Sequence, residues 1–182
     1  MGNIYFISDL HFCHNRDFVY GPRGYHSIYE HDEAIIEAWN KTVAYDDTVY
    51  ILGDIMLNDN KTGINNLRRL NGCKKIILGN HDTEERVGLY TETYNVEVLG
   101  YADIIKLNGF RFYLSHYPTL TSNKDVDKPL KSKVINLCGH THTQNRWADF
   151  DKGLIYHVEW DAHGKPKLVD EIIEELKERL AQ

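Results

Sequence analysis

"TVYILGD", residues 48–54, is a run of β-branched and aromatic side chains closed by a glycine and an aspartate. The run predicts a buried strand. The glycine lets the backbone turn sharply where the strand stops, and Asp54 is left at that corner. A carboxylate there is costly to bury unless it finds a cap, an ion pair or a cation. Four other stretches finish in the same manner. "IYFIS" (4–8) leads to Asp9, then Leu10 and His11. "KIIL" (75–78) leads to Gly79, Asn80, His81 and Asp82. "FRFYLS" (110–115) leads to His116, and "KVINLC" (133–138) to Gly139, His140, Thr141 and His142. Each is an apolar run, a small residue, and a side chain able to ligate a metal. In open α/β sheets ligands bind beyond the carboxyl ends of the strands, so the five endings are expected to face one crevice.

The remaining segments fill in an α/β order. "SIYEHDEAIIEAWNKTV" opens with Ser27 and Glu30 at capping-box spacing, and Ala34, Ile35, Ala38 and Trp39 recur at helical spacing. "GINNLRRLNG" predicts a short helix stopped at Gly72, and "VDEIIEELKERLAQ" a terminal amphipathic helix. "DIIKLNGFRFYL" reads as a hairpin turning at Asn108-Gly109, and "LIYHVEW" (154–160) as a further strand. "VDKPLKSK" (126–133) is the most loop-like stretch. Strand and helix alternate first, and a hairpin with more strands follows, which predicts a mixed sheet. With 182 residues and no linker or repeat, one domain over 1–182 is expected.

Composition narrows the function classes. The chain is 42% hydrophobic and 12% aromatic, with twelve tyrosines, which fits a packed globular protein. Asp+Glu number 27 against 21 Lys+Arg, a net charge of −6 that disfavours broad binding to a nucleic-acid backbone. Three cysteines, Cys13, Cys73 and Cys138, show no C-x-x-C spacing, so a disulfide framework or a structural zinc site is not expected and a cytoplasmic setting is. The amino-terminal segment lacks the features of a signal peptide, Phe6 stands where a myristoylation motif wants Ser or Thr, and no run reaches membrane-spanning length.

Imidazole suits zinc, iron, manganese or nickel, and carboxylate and amide oxygens suit harder ions. A thiolate-free set of seven such side chains exceeds one tetrahedral site, but would fill two metals roughly 3.5–4 Å apart that share a carboxylate. Taken singly, each residue has a plainer reading. Asp9 or Asp54 could cap a helix, Asn80 could hold a turn, and His116 could be a core imidazole bonded to backbone. Five such endings together favour ligation.

Those endings, "SDLH", "LGD", "LGNHD", "SHYP" and "CGHTH", resemble in order the five motifs of the calcineurin-like metallophosphoesterases. The likeness is nearest to the compact, capless phosphoesterases of bacteria and phages. It extends through "SDLHFCH", Trp39-Asn40, "DTVYILGD" and the closing "VEWDAHGKPKLVDEI" to nearly the whole chain. The resemblance implies a four-layer sandwich, two mixed β-sheets flanked by helices. It implies two divalent metal ions (Mn, Fe, Zn or Ni), with Asp9, His11 and His142 on the first, Asn80, His116 and His140 on the second, and Asp54 bridging. It implies that a hydroxide bridging the metals attacks phosphorus in line, that His81 protonates the leaving oxygen, and that Asp82 orients the His81 ring. One departure from the family pattern is Leu57, three residues after Asp54, where many members carry a charged side chain.

Further candidates are weaker. His14, Arg16, Arg23 and Arg146 are candidates for substrate contact, while His26, His31, His157 and His163 are read as structural. Tyr117-Pro118 is expected to shape the site floor and Tyr101 to lie in the core. The expected substrate is a small or terminal phosphomonoester or phosphodiester, with no membrane partner. A nuclease is the alternative within enzymes, disfavoured by the acidic balance and the lack of an aromatic-basic strip. A non-catalytic interaction scaffold of the same fold is the alternative outside them, ranked lower because His81 is in place.

Overall fold

The computed structural model of the chain describes residues 2–121, 128–148 and 153–181. Its first sheet holds β1 (Ile4–Ile7), β2 (Thr48–Leu52), β3 (Cys73–Ile77), β4 (Val96–Gly100) and β10 (Lys167–Leu168), in the order β10-β1-β2-β3-β4. β1 to β4 run parallel and β10 is antiparallel to β1. The second sheet holds β5 (Ala102–Leu107), β6 (Phe110–Ser115), β7 (Val134–Cys138), β8 (Trp147–Ala148) and β9 (Ile155–His157), in the order β5-β6-β7-β9-β8. There β6, β7 and β9 are mutually parallel, and β5 and β8 are antiparallel edges.

The period of two along each strand sorts its side chains into two cores. Phe6, Tyr50, Leu52 and Ile77 of the first sheet meet Phe112, Leu114, Leu137 and Tyr156 of the second, which packs the sheets face to face. Tyr5, Ile7, Val49, Ile51 and Ile76 point the other way, onto α2 (Ile28–Thr42), α3 (Asn60–Arg68) and α4 (Glu84–Thr91). The terminal helix α6 (Val169–Leu180) buries Ile172, Ile173 and Leu176 in the core shared by the two sheets. The fold is thus two mixed β-sheets flanked by helices, as expected.

Ser27 caps α2, its hydroxyl accepting from Glu30 N at 3.2 Å. The reciprocal half of the box is shifted by one residue, because the Glu30 carboxylate accepts from His26 N at 2.8 Å. The hairpin turns at Asn108-Gly109, both with positive φ. Other expectations need correction. α3 starts at Asn60, capped by Asp59, well before Gly63, because the Asp59 carboxylate accepts from Thr62 N. α4, β4, β8, β10 and two single-turn helices, α1 (Asp17–Tyr20) and α5 (Trp160–His163), were not anticipated. Tyr101 is not core: it follows the positive-φ Gly100 in the link between β4 and β5 and is 74% exposed. Of the loop-like stretch 126–133, residues 126 and 127 lie outside the described residues.

Candidate metal centre

The two sheets come together at their carboxyl ends. Ser8 N donates to Val158 O, Trp160 N to Ser8 O, and Val158 N to Cys138 O, so β1 and β9 are stitched under the crevice. Asp9 N donates to Gly53 O and His11 N to Asp54 O, which draws the first two strand endings side by side. Five of the seven candidate ligands occupy left-handed backbone: Asp9 (φ 58), His11 (52), Asp54 (55), His140 (77) and His142 (50). Non-glycine residues enter that region rarely, and strain of this kind gathers at functional sites. Close approach sets the glycines. A Cβ on Gly79 would stand 2.2 Å from Asp54 Oδ1, and one on Gly139 2.2 Å from Asp9 Oδ2.

Each carboxylate uses one oxygen on the protein and turns the other inward. Asp9 Oδ2 accepts from His140 N at 2.9 Å. Asp9 Oδ1 is buried without a hydrogen-bond partner, 3.7 Å from His11 Nε2 and 3.6 Å from His142 Nε2. Asp54 Oδ1 accepts from His81 N at 2.9 Å. Its Oδ2 stands between two imidazoles, 3.7 Å from His11 Nε2 and 3.4 Å from His116 Nε2. His116 Nε2 in turn lies 2.9 Å from Asn80 Oδ1 and 3.2 Å from His140 Nδ1. The ligand-capable atoms of Asp9, His11 and His142 form one group within 4.8 Å of one another, and those of Asp9, Asp54 and His116 form another.

Second partners fix the imidazoles. His116 Nδ1 donates to Leu52 O at 2.9 Å, which leaves Nε2 as the inward atom. His142 Nδ1 lies 3.1 Å from Asp161 Oδ2, and His11 Nδ1 3.1 Å from His14 Nδ1. The electrostatics are those of a site holding anionic donors among imidazoles. Burial alone would raise the Asp9 carboxyl, but the imidazoles of His11, His116 and His142 outweigh it and hold it down to about 2. Burial would lower His116, but Asp54, Asp9 and the Leu52 carbonyl raise it to about 9.

The donor set fits divalent cations. Asp9 Oδ1 and His11 Nε2 are buried polar atoms with no hydrogen-bond partner among the described residues, aimed at the same space, and such orphans are rare unless an ion or water completes them. Oxygen and imidazole donors with no thiolate suit first-row divalent metals.

Residues 3–159 match the family model described as the calcineurin-like phosphoesterase superfamily domain. The chain belongs to that superfamily. An uncharacterized protein of Methanocaldococcus jannaschii is 36% identical over 129 residues, a match covering 70% of this chain and 65% of the relative, so the chain spans just under two thirds of that relative's length. The gene 66 protein of Mycobacterium phage L5 is 29% identical over 201 residues, 94% of this chain and 93% of its own. A protein of unknown function from Aquifex aeolicus superposes with a TM-score of 0.70 at 24% identity, over 96% of this chain and 99% of that one, a likeness of fold.

Within this calcineurin-like domain the seven candidate ligands converge, and His81 stands beside them with Nε2 3.9 Å from Asp54 Oδ2. Its backbone is clamped by Asp54 through N–H and by Arg86, which donates to His81 O. Asp82 does not orient that ring. Its Oδ2 accepts from Asp54 N and Gly79 N, and its Oδ1 from Tyr90 OH and Ile55 N, so both oxygens are committed to holding the second and third strand endings. His14 lies at the site, its ring stacked on His11 at 5.2 Å. Arg16 is exposed two residues further on. Arg23 is not free for substrate. Its side chain is 3% exposed, and its guanidinium is engaged by Asp161, Asp9 O, Leu10 O and His31. Arg146 is drawn to α6 by Glu175 at 3.0 Å. The Tyr117 ring packs edge-on to His116 and His140, and Leu57 is buried with its N–H on Phe12 O.

Three supporting groups went unassigned in the sequence. Buried Glu159 accepts from Thr141 N, Thr143 N and the Thr141 hydroxyl, and so shapes the turn that carries His140 and His142. Asp161 holds His142. Buried Asp32 accepts from Cys13 N and bonds His31, tying the first motif to α2. Glu159 and Asp161 follow the apolar run "LIYHV", so the strand-ending pattern itself could have found them. A cavity of about 740 Å³ bordered by Cys13, Arg16, Asp32 and Asn66 lies beside the site, and none of the seven ligand candidates lines it.

Proposed function

We propose that the chain, taken as one catalytic domain over residues 1–182, hydrolyses phosphoesters at a pair of divalent cations. Asp9, His11 and His142 would hold one cation and Asn80, His116 and His140 the other, with Asp54 Oδ2 between them. Bound cations would supply a hydroxide nucleophile near neutral pH and neutralise charge on the phosphoryl oxygens. The observation that carries the reading is the pair of unpartnered buried atoms, Asp9 Oδ1 and His11 Nε2, facing Asp54 Oδ2.

The chain's own residues do the rest. Asp54 Oδ1 and the Arg86 guanidinium fix the backbone of His81 on either side of its ring. That leaves the imidazole, 41% exposed, at the mouth of the site, where it would donate a proton to the departing oxygen as displacement at phosphorus proceeds in line. The ring of His14, beside both His11 and His81, would border the substrate. Asn80, His140 and His142 are exposed, so the crevice opens to solvent and suits a small or terminal phosphoester. Three free cysteines support a cytoplasmic setting. No helix among the described residues is long and apolar enough to cross a membrane.

The test is hydrolysis of bis-p-nitrophenyl phosphate and p-nitrophenyl phosphate by protein of measured metal content. Turnover is expected with manganese, lost after chelation and restored by manganese. Metal-loaded protein that cleaves neither compound, nor any member of a wider phosphoester panel, contradicts the reading.

A further inference from the structure

Lys167 and Lys74 are similarly buried, at 8% and 4% exposure. Lys167 is neutralised twice: its Nζ lies 2.8 Å from Glu171 Oε2 and 2.8 Å from Glu175 Oε1. Lys74 has no such partner. Its Nζ donates to Leu70 O at 2.8 Å, and no carboxylate pairs with it among the described residues. An ammonium carries three donors, and a buried cation without a counter-ion is unfavourable. Burial accordingly pushes the Lys74 ammonium below the usual lysine range.

Lys74 lines a cavity of about 330 Å³ at the amino end of β3, where Arg68 adds a second cation and, among the described residues, no Asp or Glu contributes. That lining is unusual in a chain of net charge −6. Tyr45 and Tyr94 border the same cavity and, at 84% and 86%, are the most exposed large apolar side chains among the described residues. Asn71 and Asn95 add polar groups to its wall. The cavity is separate from the crevice. Lys74 and Asn80 are six residues apart along a strand and the turn after it, roughly 20 Å at full strand rise.

We propose that this cavity binds a phosphomonoester carrying a planar ring, of the nucleoside monophosphate class, with the phosphate on Lys74 and Arg68 and the ring against Tyr45 and Tyr94. The phosphate supplies the missing counter-ion, and exposed aromatic faces are the surfaces on which a base stacks. The inference does not depend on what the crevice catalyses.

The probe is AMP, added to zinc-loaded, isotope-labelled protein and followed by amide chemical shifts, with its integrity checked by 31P spectra. The amides of Gly72, Lys74 and Asn95 are expected to shift saturably. Lys74→Met should weaken that binding about tenfold or more, while shifts at Asn80 and His140 stay as in the parent. Ribose 5-phosphate, which lacks the ring, should bind about fivefold or more weaker than AMP, and Tyr94→Ala should narrow the gap. The Lys74 Cε resonance of the parent should move with AMP, a readout that stands even if Lys74→Met does not fold. Amides at the cavity that stay still while those at the crevice saturate would overturn the proposal. So would unchanged affinity in Lys74→Met, or equal affinity for AMP and ribose 5-phosphate.

Discussion

The crevice has two walls of unlike chemistry. Strand ends of the first sheet supply three oxygen donors, Asp9, Asp54 and Asn80, and one imidazole, His11, whereas those of the second supply imidazoles only, His116, His140 and His142. Asp9, His11 and Asp54 are buried on the first wall, and His140 and His142 are exposed on the second. The walls already hold each other: His140 N on the second donates to Asp9 on the first, and His116 Nδ1 on the second donates to Leu52 O on the first. Neither sheet alone presents a full donor set for either of the two proposed cations. On the proposed reading, the difference teaches that metal binding would also clasp the sheets together, with carboxylate donors buried on one side and imidazole donors closing from the other. Cations that bind only the folded arrangement raise its stability, by about 2.7 kcal/mol at a hundredfold excess over Kd.

The largest effect is expected from Asp54→Asn, which removes the charge facing both walls. Metal content should fall below about one ion per chain, and turnover should be lost with it, as read by elemental analysis and a phosphodiester assay. A variant that keeps both metals breaks the two-wall account at its centre. Next comes His81→Ala, on the first wall but outside the ligand set. It should retain its metal and lose about 10²–10⁴-fold in kcat, more with alkyl than with p-nitrophenyl leaving groups. Loss of metal in that variant would make His81 a ligand and redraw the first wall.

Arg23 sharpens the comparison because it spans both walls. It donates to Asp9 O on the first and to Asp161, which holds His142, on the second. Arg23→Met should weaken one metal site about 10–100-fold by calorimetric titration and leave the other near its parent affinity, while Arg23→Lys recovers part of the loss. Equal weakening of both sites would show that Arg23 supports the fold generally.

The smallest effect is a pH dependence beneath the second wall. Burial pushes the His163 imidazole down to about 4, outweighing the hydrogen bond its Nε2 gives to His157 O. At this residue the unfolded chain therefore binds more protons between about pH 6.5 and 4, and its contribution to stability falls as pH drops through that window. His163→Gln should lose less thermal stability than the parent between those pH values in melts on metal-free protein. Parallel curves would remove His163 from the account.

Much of this was legible in the sequence because strand endings are local. An apolar run, a small residue and a ligand type form one short pattern, so Asp9, Asp54, Asn80, His116 and His140 could be marked before the sheets were known. What escaped depends on contacts across the chain. Asp82 follows His81 directly and looks like its partner, but its carboxylate is taken by Asp54 N, Gly79 N and Tyr90 OH. Arg23 reads as a free surface cation until Asp161, 138 residues away, closes on it. α4 was missed because its apolar residues, Val87, Leu89 and Tyr90, are few and Gly88 interrupts them. Tyr101 looked like core by type and is exposed by the turn at Gly100.

Anomalous diffraction from crystals loaded with manganese tests the central claim most directly. Two peaks are expected in the crevice, one within bonding distance of Asp9, His11 and His142, the other of Asn80, His116 and His140, with Asp54 reaching both. A crevice with no peak, or manganese bound only elsewhere on the protein, would contradict the account.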